Sequence, residues 1–292
     1  MKPPVVLDID GAVGPLPGER RLALAHTQEA LRYGCTRRTL AQHWARITPL
    51  LPPALGPVFL GSGDFHHLSL PLIARAAAAH PGLRVLVLDN HPDNMRYPFG
   101  VHCGSWVSHV AALPGVAHVD VAGITSGDIA GAHAWENRLA PLLRGRLAYW
   151  SMGVDIRWAS RVGLGAAFHG FDGAEHLVSK LAHEMSASSG PVYLSIDKDV
   201  FSPDVVRTNW DQGVLQAQHA AALIATLAGR LVGCDVTGEV SSYRYRSAFK
   251  RLLSHADGQD AVFDPATLAA WQAGQHALNL ALLPQLEGAA SG

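Results

Sequence analysis

Short runs of consecutive apolar residues recur along the chain, and most are separated by stretches with helical periodicity. Consecutive apolar residues, rather than alternating ones, are typical of strands that are buried on both faces. The runs that we predict as strands are residues 5–9, 57–60, 84–88, 116–121, 147–152, 192–196 and 231–236. The stretches that we predict as helices are residues 20–33, 39–50, 67–80, 175–185, 216–229 and 265–283.

This alternation of strands and helices predicts an α/β fold with a mostly parallel central sheet and helices on both faces, arranged in three layers. The chain has 292 residues, enough for one large domain, and no internal repeat or low-complexity linker divides it. We therefore expect a single domain over residues 1–292. In such sheets, ligands bind at the carboxyl ends of the strands, so residues that do chemistry should follow the predicted strands.

Composition and charge exclude several classes of protein. A hydrophobic fraction of 48% excludes an intrinsically disordered chain. Because 23 Lys and Arg stand against 24 Asp and Glu, we expect neither a nucleic acid nor a membrane surface as partner. The longest apolar run, residues 220–227, is too short to span a bilayer. The N-terminal residues lack the apolar segment of a signal peptide, and three widely spaced cysteines form no disulfide framework, so we predict a cytoplasmic protein.

Acidic residues and histidines follow three of the predicted strands. Strand 84–88 runs into Asp89, strand 192–196 runs into Asp197, and the third cluster follows residues 57–60. Either Asp could instead cap a helix or form a turn, but three such clusters at strand ends favour a shared site. The candidate metal ligands are His66, Asp89, His91, Asp93, Asp197 and Asp199. From the residues alone, the ligand of the adjacent pair could be His66 or His67.

Four carboxylates and two imidazoles form too oxygen-rich a set for a structural zinc site. Oxygen with some nitrogen suits Mn²⁺ or a similar divalent ion, and six ligands exceed the needs of one ion with an open position. Because carboxylates can bridge, we predict two divalent metal ions, most consistent with Mn²⁺, about 3.5–4 Å apart. Such a pair of ions activates a water molecule at neutral pH.

These segments resemble the signatures of the ureohydrolases, the family of arginase, agmatinase and their relatives. Residues 63–72, 89–93 and 195–199 are similar to the three metal-binding signatures of the family, in the same order. Residues 233–240 are similar to a fourth signature with one residue inserted. The resemblance assigns His66 to the metal and His67 to a position where the family has serine.

The resemblance implies hydrolysis of a guanidino C–N bond in a small compound such as arginine or agmatine, with release of urea and an amine. It implies that Asp199 orients the reaction intermediate while binding metal, that Glu239 contacts the guanidinium, and that His102 shuttles a proton. It also implies a homo-oligomer. The loop at residues 207–213 departs from the family pattern, so another amidine or formimino substrate, or a non-catalytic metal-binding role, stays open.

Two further motifs give competing interpretations. Asp8 and Asp10 after the first strand resemble the motif of haloacid-dehalogenase-like phosphatases, in which the first Asp is the nucleophile, although Ala12 stands where that motif has Thr. The segment 243–246 interleaves tyrosines with Arg244 and Arg246. These arginines could contact a nucleic acid or a carboxylate of the substrate.

Overall fold

Nine parallel strands form the central sheet of the computed structural model, which describes residues 2–256, 258 and 263–291. The strands of the described chain are β1 Val5–Asp8, β2 Arg20–Ala23, β3 Gly34–Cys35, β4 Val58–Phe59, β5 Leu83–Leu88, β6 Val101–His102, β7 Val116–Ile124, β8 Leu147–Met152, β9 Phe168–Phe171, β10 Val192–Asp197 and β11 Leu231–Thr237. The order in the sheet is β2-β1-β4-β11-β10-β5-β7-β8-β9. Strands β3 and β6 form a separate antiparallel pair.

Helices cover the sheet on both sides. They are α1 Gln28–Leu31, α2 Arg37–Ile47, α3 Ser69–Ala79, α4 Val107–Ala111, α5 Leu139–Leu143, α6 Arg157–Arg161, α7 Ala174–Ala187, α8 Ala217–Thr226, α9 Ala248–Ala256 and α10 Pro265–Ser291. None of these helices, within the residues that the structure describes, is both long and apolar enough to cross a membrane.

Two large apolar clusters, one on each face of the sheet, form most of the core. Along β5, Val85 and Val87 join one cluster, whereas Leu86 and Leu88 join the other. Helices α3 and α4 pack on the first face, and α7, α8 and α10 pack on the second. Because the inner strands are covered on both faces, most of their side chains are apolar in both directions, as the consecutive runs predicted. The predicted three-layer α/β fold with a mostly parallel sheet is confirmed.

Two of the predicted helices differ clearly from the structure. Residues 20–33 were predicted as one helix, but they form edge strand β2, a 3₁₀ turn at Ala25–Thr27 and the short helix α1. The prediction was wrong because β2 is an edge strand paired with β1 in which only Leu22 is buried, so no apolar run marks it as a strand. The last helix continues to Ser291, beyond the predicted end at 283, since Leu286 and Ala289 still pack into the core.

The sheet order places the chemically important segments side by side. Strands β4, β11, β10 and β5 are consecutive in the sheet and parallel, so their carboxyl ends share one edge. The segments that follow these four strands begin at residues 60, 238, 198 and 89. All the candidate ligands named above therefore lie at one edge of the sheet.

Candidate metal centre

The six candidate ligands line a single cavity with a volume of about 600 Å³. His66 lies in a 3₁₀ helix, Gly63–Leu68, that follows β4, and Ser62 caps this helix by accepting a hydrogen bond from the Asp64 amide. Asp197 is the last residue of β10, and its carboxylate accepts a hydrogen bond from the Asp199 amide. Hydrogen bonds between residues two apart in the sequence thus fix the backbone that carries these side chains.

A first group of ligand atoms surrounds the Nδ1 atom of His66. This atom lies 3.2 Å from Asp89 Oδ2, 3.0 Å from Asp93 Oδ2 and 3.3 Å from Asp197 Oδ2. Asp93 has a φ of 45°, in the left-handed region that non-glycine residues rarely adopt. Its carboxylate also accepts a hydrogen bond of 2.6 Å from the Trp106 indole, which helps to hold it in this conformation.

A second group surrounds the Nδ1 atom of His91, which lies 2.9 Å from Asp199 Oδ2 and 3.6 Å from Asp89 Oδ1. His66, Asp89 and Asp93 could hold one ion, and Asp89, His91 and Asp199 could hold another. Asp89 belongs to both groups and offers a different oxygen to each. It is therefore the candidate bridge between two ions.

The electrostatics of the cluster fit divalent cations. Asp89 Oδ2 and His66 Nδ1 are buried without a hydrogen-bond partner, although buried polar atoms are normally paired. Burial, and then the negative charge of Asp89, raise the pKa of Asp93 and of Asp199 to about 7. Burial also raises the pKa of Asp197 well above its usual value. A cation would offset the repulsion between these carboxylates, so the residues present fit a pair of divalent ions.

Outer partners orient both histidine rings so that Nδ1 faces the ligand cluster. The Nε2 atom of His66 lies 2.9 Å from Ser195 Oγ, which donates to Asp235 Oδ1 at 2.7 Å. The Nε2 atom of His91 lies 2.8 Å from Asp211 Oδ1, and the Asn90 amide donates to the other carboxylate oxygen of Asp211. Such carboxylate partners fix the ring orientation of metal-binding histidines.

Neither Asp211 nor Asp235 was predicted from the sequence as a site residue. Asp235 carried a signal that could have been used, because it is a carboxylate inside the otherwise apolar strand β11 and is fully buried. Asp211 carried none, because it lies in the loop at 207–213, where the chain departs from any recognised pattern.

Of the other two histidines considered as site residues, one lines the cavity and the other is buried outside its described lining. His102 lines the cavity and packs against the Tyr97 ring, with ring centroids 4.1 Å apart. Burial lowers the pKa of His102 to about 4. His67 is fully buried outside the described lining of the cavity, and burial lowers its pKa to about 3. The geometry therefore favours His66 over His67 as the candidate ligand.

Glu239 is not among the described residues that line the cavity. Its side chain is only 2% exposed, forms an ion pair with Lys198, and accepts a hydrogen bond of 2.7 Å from Asn279. Lys198 is fully buried between the ligand positions 197 and 199, so this pair supports the turn that carries them. Contact between Glu239 and a guanidinium stays a prediction.

The motif at Asp8 and Asp10 lies apart from the described lining of the cavity. Asp8 forms an ion pair with Arg21. Asp10 accepts hydrogen bonds from the Ser62 amide and the Ser241 hydroxyl, and so ties the turn before His66 to the segment after β11. In this structure Asp10 supports the fold of the site.

Replacing Asp211 with Ala is expected to weaken metal binding about 10- to 100-fold, the usual effect of removing an outer partner of a histidine ligand. The His91 ring would lose the acceptor that holds its orientation. Isothermal titration of the metal-free protein with Mn²⁺ measures the change. Asp204→Ala is the matched control, because Asp204 is an exposed carboxylate nearby in the sequence that pairs only locally with Ser202. Equal affinities in the two variants would contradict this role for Asp211.

Comparison with known proteins gives consistent results. The sequence model described as the arginase family matches residues 23–247, more than half of the chain. An uncharacterized protein of Thermotoga maritima is 24% identical over 212 residues, which cover 72% of this chain and 68% of that protein.

Solved structures share the fold. Formimidoylglutamase from Bacillus subtilis has 12% sequence identity and a TM-score of 0.54, covering 99% of this chain and 87% of that one. Proclavaminate amidino hydrolase from Streptomyces clavuligerus has 16% identity and a TM-score of 0.52, covering 98% and 93%. At such identities the structures show a common fold and nothing about substrate.

Proposed function

The chain belongs to the arginase family, and from this premise we propose that it is a binuclear metal-dependent hydrolase of a small guanidino compound. The proposed reaction breaks a guanidino C–N bond with water and releases urea and an amine. The observation that carries the proposal is the pair of ligand groups that share Asp89 in one cavity. This arrangement favours catalysis at the ions over a solely structural role, because the ligand cluster opens into a cavity that a substrate can enter.

The residues of the chain have distinct proposed roles. His66 and Asp93 would hold one divalent ion, and His91 and Asp199 the other, with Asp89 between them. When bound, two such ions, proposed to be Mn²⁺, supply the Lewis acidity that activates water. Asp197 would complete the ligand set from the end of β10.

Two residues are proposed to act on the substrate. Asp199 would orient the reacting guanidino group, because its carboxylate lies at the ligand cluster and faces the cavity. His102, on the cavity wall, would relay a proton to the leaving amine, since an amine leaves poorly without one. Because burial lowers the pKa of His102 to about 4, the ring would hold that proton only transiently.

The charge of the cavity wall bears on the substrate. Beyond the candidate ligands, the wall carries the carboxylates of Asp128, Glu136 and Asp211, and none of its described residues is Lys or Arg. The residues outside the description include no Lys or Arg either. Arg244 and Arg246 do not belong to the described lining. A carboxylate on the tail of the substrate would therefore find no Lys or Arg to pair with, whereas a positively charged tail would be attracted by these carboxylates.

We therefore propose a guanidino compound whose other end is cationic or neutral, as in agmatine, over one that carries a carboxylate, as in arginine. The test is a urea assay of the Mn²⁺-loaded protein with agmatine and arginine, which differ by one carboxylate. We expect a higher kcat/KM for agmatine. Protein that contains both ions and releases no urea from either compound, or from other guanidines, would contradict the proposed reaction.

Replacing Asp128 with Asn is expected to raise KM for agmatine about tenfold, equivalent to about 1.4 kcal/mol for one charge-assisted contact, and to leave kcat nearly unchanged. The half-buried side chain of Asp128 lines the cavity and is proposed to pair with the cationic tail. Butylguanidine, which has no charge on its tail, is the control substrate. An equal rise in KM for both compounds would exclude recognition of the tail charge by Asp128.

A further inference from the structure

A second cleft of about 600 Å³ is lined by arginines. Its polar lining residues are Arg96, Ser108, His109, Arg138, Arg144 and Arg146. None of its described lining residues is acidic, and none is shared with the cavity that holds the candidate metal ligands. The two sites are nevertheless close along the chain, because Met95 and Glu136 line the cavity whereas Arg96 and Arg138 line the cleft.

The positive charge of this arginine cleft is not balanced within the described chain. None of its arginines forms an ion pair with a described carboxylate, although other arginines do, such as Arg84 with Asp120. The Arg146 guanidinium donates to the backbone oxygens of Leu113 and Val116, and Arg96 Nε donates to the Asn137 oxygen at 3.1 Å. These hydrogen bonds fix the side chains of Arg146 and Arg96 without neutralising their charge.

Two nitrogen atoms of residues that line the arginine cleft lack hydrogen-bond partners in the described structure. Arg146 Nε and His109 Nε2 are both buried and unpaired in the described structure. Buried polar atoms are normally satisfied by protein, water or a ligand. Burial lowers the pKa of His109, and the positive charges of Arg138 and Arg37 lower it further. The surroundings of His109 are thus positive and contain unused hydrogen-bonding capacity.

Hydrogen bonds join the two backbone segments that carry Arg96 and Arg138. Arg96 N donates to the Glu136 oxygen at 2.7 Å, and Arg138 N donates to the Asn94 oxygen at 3.0 Å. The Asn94 side chain returns a hydrogen bond of 3.0 Å to the Arg138 oxygen. Because these two segments are hydrogen-bonded to each other, the backbone positions of Arg96 and Arg138 are fixed. This lowers the entropic cost of binding a ligand.

We propose that the arginine cleft binds a small polyanion that carries two or more phosphate or carboxylate groups. Guanidinium groups bind both kinds of oxyanion through paired N–H donors, and four of them line this cleft. The volume falls within the range of small-molecule sites. The ligand differs from the proposed substrate, since a cationic guanidino compound would be repelled here.

Calorimetric titration of the metal-loaded protein with inorganic pyrophosphate, and separately with benzene-1,3,5-tricarboxylate, tests the proposal and distinguishes the two kinds of oxyanion. We expect one site per chain for at least one probe, with affinity that falls as salt is added. The double variant R138A/R144A should weaken binding at least about tenfold, the loss of about 1.4 kcal/mol. Both side chains are exposed, so the variant should fold, and R96A provides an independent second variant.

The matched control is R157A/R161A, which removes two exposed arginines of helix α6 outside the cleft. It should change affinity by less than about twofold, because Arg157 pairs with Asp155 and neither residue lines the cleft. Equal weakening in both double variants would reveal attraction to net charge alone and overturn the proposal. Absence of binding by both probes would also overturn it. So would binding that R138A/R144A and R96A leave unchanged, which would place the anion at the metal centre.

Discussion

Replacing Asp89 with Asn is expected to abolish tight binding of both metal ions and hydrolysis together. Asp89 directs one carboxylate oxygen toward His66 and the other toward His91, so its change alters both candidate ion sites. Removing a residue that only orients a metal-binding histidine weakens metal binding about 10- to 100-fold. Removing a ligand shared by both ions should therefore weaken metal binding more than about a hundredfold. Metal content after dialysis and the rate of urea release measure the two effects.

Asp8→Asn is the matched control for this change. Asp8 also stands at the end of a buried strand, as the last residue of β1, but it pairs with Arg21 and is not among the described residues that line the cavity. It should retain both ions and full activity. If Asp89→Asn keeps two ions per chain, the proposed bridge is wrong. Phosphatase activity that disappears in Asp8→Asn would instead support the phosphohydrolase interpretation.

Replacing Arg32 with Met is expected to lower the free energy of unfolding by about 3–5 kcal/mol, the usual cost of removing one partner from a buried ion pair. Arg32 is 2% exposed, and its Nε lies 2.7 Å from Asp64 Oδ2. Its guanidinium also donates to the backbone oxygen of Ser241 at 2.8 Å, and its Nη1 atom lies 3.8 Å from Asp10 Oδ2. Without the guanidinium, two buried carboxylates lose their cation.

Urea-induced unfolding of the metal-free protein measures this effect without a contribution from bound ions. Arg21→Met is the control, because Arg21 pairs with Glu19 and Asp8 while its side chain is 28% exposed, and such a pair contributes about 1 kcal/mol or less. A double variant, Arg32→Met with Asp64→Asn, should recover part of the lost stability. Similar losses for Arg32→Met and Arg21→Met would contradict the importance of the buried cluster.

The sequence predicted much of the sheet because its inner strands are buried on both faces. Residues 147–152 match β8, and the predicted strands at 84–88 and 192–196 each differ from the structure by one residue. The edge strands β2 and β9 were not predicted, because one face of each is partly exposed and no apolar run marks it. Whether a strand lies at the edge of the sheet depends on the order of the strands, and a local sequence pattern carries no information about that order.

The candidate ligands could be found from the sequence because they directly follow parallel strands. Asp89 and Asp197 stand at strand ends, and the parallel arrangement brings such ends to one edge. Asp128 and Asp211 could not be found in this way, because loop residues have no periodicity and only the tertiary structure places them at the cavity. The burial of Lys198 was equally unforeseeable, since a lysine between two aspartates is typical of a solvated turn.

Anomalous diffraction at the manganese edge from crystals of the Mn²⁺-loaded protein would show whether the six ligands hold a pair of ions. We expect two peaks about 3.5–4 Å apart, one beside the Nδ1 atom of His66 and one beside the Nδ1 atom of His91, with the carboxylate of Asp89 between them. A single peak, or peaks located away from these side chains, would contradict this expectation.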